Sequence, residues 1–288
     1  MESYVALIID LKKSRSYSVN DRTAIQNFII TVTHELNQIF RHSITRDVKF
    51  SAGDEVQGLF MSPEAAYLYF RLFNMLIFPV EIRAGIGVGE WNIKVENAGA
   101  TAQDGPAYYN ARRAIKETND AQGYSVLLYS GNENDIFINS AISISFTLTN
   151  NHSSYQNELA LLAEMLYPIN AHNVLDAGKM HLLAKLVSAK NKLNYYTTIK
   201  QSKSVKKYPF DATGHINLAS SPIDAINDEN TFYIIGGKKR GLPTQLANIF
   251  GISRQSIEKT FKSANIYAAR NFTIVALKLI NKYLSGGV

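Results

Sequence analysis

Apolar and polar positions in the first 130 residues alternate between the two-residue period of strands and the 3.6-residue period of helices. The predicted strands comprise residues 4–10, two short runs within 48–61 around an Ala-Gly-Asp turn, 80–88 and 124–129. The predicted helices comprise residues 21–40, 63–77 and 107–117, with Ser62 and Pro63 as the cap and first turn of the second. The order β-α-β-β-α-β-α-β predicts an α+β sandwich, with helices packed on a mostly antiparallel sheet.

The second half of the chain has a different character. Helices are predicted at residues 155–166 and 173–194, an irregular segment at 201–230 and a short strand at 232–235. A long amphipathic stretch at 266–284 is either a dimer helix or the third helix of a C-terminal core. The predicted division is a first domain at 1–132, a helical connector at 133–200, a basic linker at 201–240 and a C-terminal helical region at 241–288.

Composition excludes several kinds of protein. The chain has no cysteine, so it has neither disulfides nor thiolate metal sites, and its six histidines lack the i, i+4 spacing of a helical metal site. The first apolar run ends at Asp10, and no stretch approaches the roughly 18 apolar residues of a membrane helix. We therefore expect a soluble, cytoplasmic protein without a membrane partner.

Positive charge is concentrated in one region. The net charge is +6, and residues 178–262 carry 14 Lys and Arg against 5 Asp and Glu. Such an excess is typical of a surface that meets a polyanion, although a solvated basic surface has the same composition.

The segment TQLANIFGISRQSIEKTFKSA, residues 244–264, has the spacing of a helix-turn-helix. Thr244 is predicted to cap a first helix, Gly251 to form the turn, and Ser253 to cap a second helix that begins at Arg254. A small residue at 247 and an apolar one at 257 fit the crossing of two such helices.

This helix pair predicts a DNA surface. Side chains of the second helix would lie near base edges or phosphates in the major groove, and those around its start near the phosphate backbone. The first group comprises Arg254, Gln255, Ser256 and Lys259, and the second Thr244, Gln245 and Ser253. The alternative is a helical hairpin that only packs, or that binds a protein partner.

Two carboxylates occupy strand ends in the first domain. Asp10 ends the first strand in IIDLKKSR, and Asp54 lies in the turn of KFSAGDEVQGLF. If these strands are adjacent, both carboxylates project from one sheet edge, an arrangement suited to Mg²⁺ or Mn²⁺. Lys12 and Ser14 are candidates for binding the phosphates of a nucleotide. Alternatively, Asp10 caps the next turn, and Asp54 is a turn residue chosen for its conformation.

Five motifs give this region a resemblance to a known family: IID, GDEVQGLF, RAGIGVGE, DGPAYYNARRA and YSVLLYS. In this order they resemble the catalytic domain of class III nucleotidyl cyclases over residues 1–132. The resemblance implies a ferredoxin-like, palm-type fold, metal ligands at Asp10 and Asp54, a catalytic arginine at Arg113 that stabilises phosphate charge, and a homodimer. The chain departs from the cyclase pattern at Phe50 and Tyr109, where the family has lysine and asparagine.

The same motifs, followed by a C-terminal helix-turn-helix, resemble the SatD family of bacterial proteins over nearly the whole chain. We therefore predict a regulatory DNA-binding protein whose cyclase-like domain binds a nucleotide and a divalent metal and signals their presence to the helix-turn-helix. One alternative is a metal-dependent nucleotidyl cyclase or nucleotidyltransferase that makes a second messenger. The other is a non-catalytic interaction module. Between Asp104 and Arg112 we expect a salt bridge that orients the loop before the third helix.

Overall fold

A five-stranded sheet forms the centre of the first half of the protein. This computed structural model describes residues 3–51, 53–96, 100–121, 123–193, 220–227 and 232–285. The strands are β1 (Tyr4–Leu11), β2 (Ile44–Phe50), β3 (Glu55–Phe60), β4 (Ile82–Gly89) and β5 (Val126–Tyr129). Their order is β2-β3-β1-β4-β5, and only the β4–β5 pair of this sheet is parallel. The predicted mixed α+β class and mostly antiparallel sheet are therefore confirmed.

Helices cover both faces of this sheet. They are α1 (Val19–Ile39), α2 (Pro63–Ile77) and α3 (Pro106–Glu117). Alternate residues of β1 point to opposite faces, so Val5, Leu7 and Ile9 join the core with α1 and α2, whereas Ala6 and Ile8 pack with α3. The element order β1-α1-β2-β3-α2-β4 is that of a split β-α-β unit, to which α3 and β5 are added.

Glycines in β4 set the position of α3. A Cβ atom at Gly85 would lie 2.1 Å from the carbonyl oxygen of Ala111, and one at Gly87 would lie 2.0 Å from its backbone nitrogen. Only glycine therefore permits the helix backbone to lie directly on the strand. This contact explains the alternating glycines of the RAGIGVGE motif.

The two outer strands of the sheet share one local arrangement. The carboxamide of Asn37, on α1, donates to the carbonyl oxygen of Val48 (3.0 Å) and accepts from its backbone N–H (3.2 Å) in β2. On the opposite side, Asn139 makes the same two hydrogen bonds to Leu128 in β5, at 2.8 and 2.7 Å. Each outer strand is thus bonded at one residue to a neighbouring helix.

The second half of the described chain is mainly helical. Its helices are α4 (Asp135–Thr149), α5 (Ser154–Leu166), α6 (Leu182–Lys192), α7 (Leu242–Phe250), α8 (Arg254–Ser263) and α9 (Ile266–Ile280). Two short strands, β6 (Ile169–Asn170) and β7 (Ile223–Asp224), pair in parallel. The apolar stripe of α9 packs against α4 and α2, so the stripe predicted at 266–284 is a packing surface within this chain.

Several boundaries differ from the sequence prediction. The helix predicted at 173–194 begins only at Leu182; Asn173 has a positive φ angle, and a separate 3₁₀ turn, Ala177–Lys179, precedes the helix. Residues 232–235 form no strand. Within the predicted irregular segment, residues 223–224 form β7, with Ile223 buried, while residues 201–219 lie outside the described residues. The sequence pattern predicted no helix at α4.

The start of α7 also differs. Gly241, with a φ of 87°, precedes the helix, and Pro243 lies in its first turn. Thr244 is therefore inside the helix and is not its cap, which corrects the prediction from the sequence. Among the described residues, no helix is long and apolar enough to cross a membrane.

Candidate functional site

The edge of the sheet where β1 ends carries a cluster of charged side chains. Asp10 pairs in register with Glu55 of β3 on one side and with Arg83 of β4 on the other. Arg83 donates to Asp10 Oδ2 from Nε (2.9 Å) and from Nη2 (2.5 Å). The cross-strand register thus places two carboxylates and one guanidinium side by side.

The third helix completes this cluster. Side chains at positions 83, 85, 87 and 89 of β4 share a face, and glycine occupies the last three positions. Of these four positions, only position 83 carries a side chain. That side chain, Arg83, donates to Asp10. From α3, Arg112 forms an ion pair with Glu55 that includes an Nη2 to Oε1 distance of 2.9 Å. Ser51 Oγ also donates to Glu55 Oε1, at 2.6 Å.

The other predicted nucleotide and metal residues lie around this edge. Asp54 is half-buried in the β2–β3 turn, which the Ser51 N–H closes by donating to the carbonyl oxygen of Glu55 (2.8 Å). Lys12 donates its backbone N–H to Glu81 (2.8 Å), and its side chain lines a cleft beside β4. Ser14 begins a 3₁₀ turn.

Arg113 points to a different strand. Its Nη1 donates to the hydroxyl of Tyr129 (2.7 Å), and its guanidinium lies 4.2 Å from the centre of that ring. Tyr129 belongs to β5, so the arginine of α3 that reaches a carboxylate of the cluster is Arg112, which pairs with Glu55 of β3.

The charged cluster does not fit a preformed divalent-metal site. Asp10 is bonded to Arg83, and both oxygens of Glu55 are engaged by Arg112. A metal would have to compete with these guanidinium groups for its ligands. In the part of the chain that the structure describes, no group of three or more His, Cys, Asp or Glu side chains is placed to hold a metal.

Sequence reasoning missed part of this cluster. Asp104 accepts hydrogen bonds from the Tyr109 hydroxyl (2.7 Å) and the Gly105 N–H (2.8 Å), so the expected Asp104–Arg112 salt bridge is replaced by Arg112–Glu55. From the sequence, Glu55 either assists the two aspartates or faces solvent, and no motif indicates Arg83. The two-residue period of GDEVQGLF places Glu55 on the same face as Leu59, which was the available signal.

The α7–α8 helix pair forms a second candidate site. Gly251 has the left-handed conformation (φ 62°), and Ser253 caps α8 by accepting from the Ser256 N–H (3.2 Å), as predicted. Ile257 and Phe261 are fully buried. The side chains predicted to contact DNA are all exposed: Thr244, Gln245, Ser253, Arg254, Gln255, Ser256 and Lys259.

Solved structures similar to part of this chain include two structures of a bacterial light-regulated adenylyl cyclase. One is 13% identical, with a TM-score of 0.33, covering 44% of this chain and 74% of that one. The other is 14% identical, also with a TM-score of 0.33, covering 44% of this chain and 42% of that one. Likeness at this level carries no argument about activity.

No curated protein matches the sequence. The family model described as the SatD family matches residues 4–205, which include the sheet and the charged cluster at the end of β1. The helices α7, α8 and α9 lie beyond this match. This chain belongs to the SatD family.

Proposed function

We propose that the protein binds duplex DNA with α7 and α8, and that α8 enters the major groove. The observation that carries this proposal is the division of α8 into two surfaces. Ile257 and Phe261 are buried against the rest of the protein, while Arg254, Gln255 and Lys259 are exposed. A short, capped helix with a polar and basic outer surface is the element that such helix pairs insert into DNA.

Electrostatics supports the same surface. Lys238, Lys239 and Arg240 are exposed directly before α7, and α8 adds Arg254, Lys259 and Lys262 against Glu258. Arg254 is paired with Glu258 at 2.9 Å, so it must exchange that partner to contact a base or phosphate. The exposed lysines can approach phosphates and release counterions, Lys238 by leaving the Tyr267 ring, whose centre lies 5.8 Å from its Nζ.

Each exposed residue then has an expected role. Gln255 and Arg254 would contact base edges, whereas Lys259 would contact a phosphate or a base. Thr244, Gln245, Ser253 and Ser256 would hydrogen-bond to the backbone or to nearby bases. Regulators with such a helix pair recognise palindromic sites as homodimers, so we expect this protein to bind DNA as a homodimer.

The proposal is tested by selecting a preferred duplex from random DNA and measuring binding by fluorescence anisotropy at several salt concentrations. Gln255→Ala should cost about 1–3 kcal/mol on the selected site and relax the sequence preference. Lys259→Ala should weaken binding to all sequences and reduce the salt slope by about 1. Lys185→Ala, at an exposed position of α6, is the control. Equal behaviour of all three variants would refute the proposal.

The nucleotide and the Mg²⁺ or Mn²⁺ predicted at Asp10 and Asp54 remain predictions, as does the cyclase alternative. They have weaker support because Asp10 is paired with Arg83. Pyrophosphate release from each nucleoside triphosphate, lost in Asp54→Ala, would favour an enzyme. Its absence in the wild type would leave DNA binding as the better account.

A further inference from the structure

A small chamber lies where α2, α5 and α9 meet. It has a volume of about 20 Å³, enough for one water molecule. Its wall includes Arg71, Glu164 and Arg270, all of them buried. Glu164 is ion-paired with both arginines, at 2.8 Å for Arg71. Two guanidinium groups share one carboxylate, so the chamber keeps an uncompensated positive charge.

One donor in this chamber has no hydrogen-bond partner among the residues that the structure describes. Nη1 of Arg71 is buried and makes no hydrogen bond, whereas Nη2 of the same group is bonded to Glu164. A buried unpaired donor on a cation is costly unless water or an anion satisfies it. The chamber therefore favours negative charge nearby.

A larger cleft shares walls with this chamber. It has a volume of about 390 Å³, within the range of small-molecule sites, and Asn74, Met75, Thr149 and His152 line both spaces. Its outer part is polar, with hydrogen-bonding groups such as Ser125 and Asn151. The cleft thus offers hydrogen bonds in front of a buried positive charge.

The charge around the cleft has a definite balance. Lys12 and Glu81 both line the cleft, and Glu81 Oε2 lies 3.9 Å from Nζ of Lys13. Lys190, whose Nζ donates to the carbonyl oxygen of the lining residue Met75 (3.0 Å), is offset by Glu158. With Glu81 offset by Lys13 and Glu164 offset by one arginine, Lys12 and one guanidinium remain, a charge of about +2. A phosphate monoester carries about −1.5 to −2 at neutral pH, while a carboxylate carries only −1.

The cleft is also connected to the proposed DNA-binding helix. The Nε2 atom of His152 lies 2.7 Å from the carbonyl oxygen of Ala264, the C-cap residue of α8. Arg270 lies on α9, the helix that follows. Groups of the cleft and chamber therefore contact both the end of α8 and the start of α9.

We propose that this cleft is an effector site for a small, hydrogen-bonding phosphate monoester of roughly nucleoside-monophosphate size. The phosphate lies toward Lys12 and the Arg71 chamber, and the rest of the molecule bonds to the carboxamides and hydroxyls. Binding of this ligand changes the DNA affinity of α8 through His152. This part of the proposal rests on the proposed function. The site is separate from the Asp10–Arg83 ion pair.

Direct binding is tested on the full chain by isothermal titration calorimetry with AMP, CMP, GMP, UMP, glucose 6-phosphate and inorganic phosphate, each at up to about 1 mM. The unphosphorylated nucleosides and glucose are the matched probes. We expect at least one organic phosphate to bind and its unphosphorylated form to fail. Binding of inorganic phosphate alone, or of no probe, would overturn the proposal.

Two variants locate the site. Lys12→Gln should weaken binding at least tenfold, and Lys94→Gln, whose Nζ lies 5.4 Å from the ring of Tyr4 at the opposite end of β1, should not. Asn151→Ala, at an exposed lining position, should also weaken binding while retaining the fold. Unchanged affinity in both Lys12→Gln and Asn151→Ala would place the ligand elsewhere.

A separate measurement tests whether ligand binding in the cleft changes the affinity for DNA. A saturating probe should change the DNA dissociation constant at least about fivefold. His152→Leu should abolish that change even when the probe concentration is raised until calorimetry shows that the variant is fully occupied. An unchanged DNA affinity would overturn the regulation but not the site. If the probe binds but DNA does not bind, the ligand site is supported and the proposed DNA-binding function is refuted.

Discussion

Glu164 is the residue on which three helices of the core converge. Its Oε1 accepts from Arg71 on α2 and from Arg270 on α9, and its Oε2 accepts from the Ile169 N–H (3.3 Å). Burial by itself would raise the pKa of this carboxyl, but the two guanidiniums outweigh it and hold the pKa below the usual value. The ionised form is therefore part of the folded structure.

Replacing this carboxylate gives a prediction with a defined pH dependence. Because its pKa is lowered by folding, the contribution of Glu164 is present above the unfolded pKa of about 4.3 and is lost as the pH falls through the folded value. Glu164→Gln should cost about 3–5 kcal/mol of unfolding free energy at neutral pH and flatten the acid limb of the stability profile. Urea unfolding from pH 3 to 7 measures both.

Glu158 is the matched control, since burial raises the pKa of its carboxyl. Its contribution is present below the unfolded pKa and is lost as the pH rises through the raised value. Glu158→Gln should therefore change the pH slope in the opposite direction. The same slope in both variants would contradict the explanation.

Arg83 offers a test of the metal prediction at the residue scale. If it competes for Asp10, then Arg83→Ala should bind Mn²⁺ more tightly than the wild type. Electron paramagnetic resonance of free Mn²⁺ measures this, with Arg113→Ala, which removes a side chain bonded to Tyr129, as the control. If Mn²⁺ binds neither the wild type nor Arg83→Ala, the sheet edge is not a metal site.

At the scale of elements, the contact between α3 and β4 depends on the absence of side chains. Gly87→Ala would place a Cβ against backbone atoms of α3, which can yield only if the whole helix moves. We expect a loss of about 3 kcal/mol or more in unfolding free energy, at the upper end of overpacking effects.

Gly251→Ala separates crowding from backbone strain. Apart from its chain neighbours, no described residue places a heavy atom within 4 Å of the added Cβ, and only its φ of 62° opposes the substitution. The expected loss is about 1 kcal/mol. Denaturant unfolding compares the two variants, and similar losses would show that crowding by α3 is not the dominant cost at Gly87.

At the scale of the whole molecule, buried residues form a continuous core from β1 to α9. Buried hydroxyls join α4 to α9, where Ser145 Oγ lies 3.2 Å from the Ala269 carbonyl oxygen and 3.0 Å from Thr273 Oγ1. The helices after residue 240 are thus packed on the sheet-bearing half, although DNA binding is proposed for only one part of them.

This continuity predicts a single cooperative unfolding transition. The fluorescence of Trp91, the one tryptophan, reports the α3 side of the sheet, and far-UV circular dichroism reports all helices. The two thermal transitions should coincide. Removal of residues 265–288 should lower the midpoint of both signals, whereas two separate transitions in the wild type would contradict a continuous core.

The sequence predicted the helices and strands more accurately than the side-chain contacts between them. The pattern of apolar positions located β1 to β5 and α1 to α3: α1 and α3 bury a stripe, whereas β1 and α2 are apolar runs that are buried almost throughout. It missed α4, whose ISISFTLT run is β-branched and alternates like a strand but is held as a helix by packing on β5 and α9. The ion pairs Asp10–Arg83 and Glu55–Arg112 depend on strand register and helix position, which a linear pattern does not encode.

Asn37 and Asn139 have a consequence for how copies of this protein meet. A strand at the margin of a sheet can template polymerisation through its free amide and carbonyl groups. Here a carboxamide already occupies both groups of Val48 on one margin and of Leu128 on the other. An incoming strand from a neighbouring copy would have to displace these carboxamides at Val48 or Leu128, so the two asparagines oppose fibre growth along the sheet at both margins.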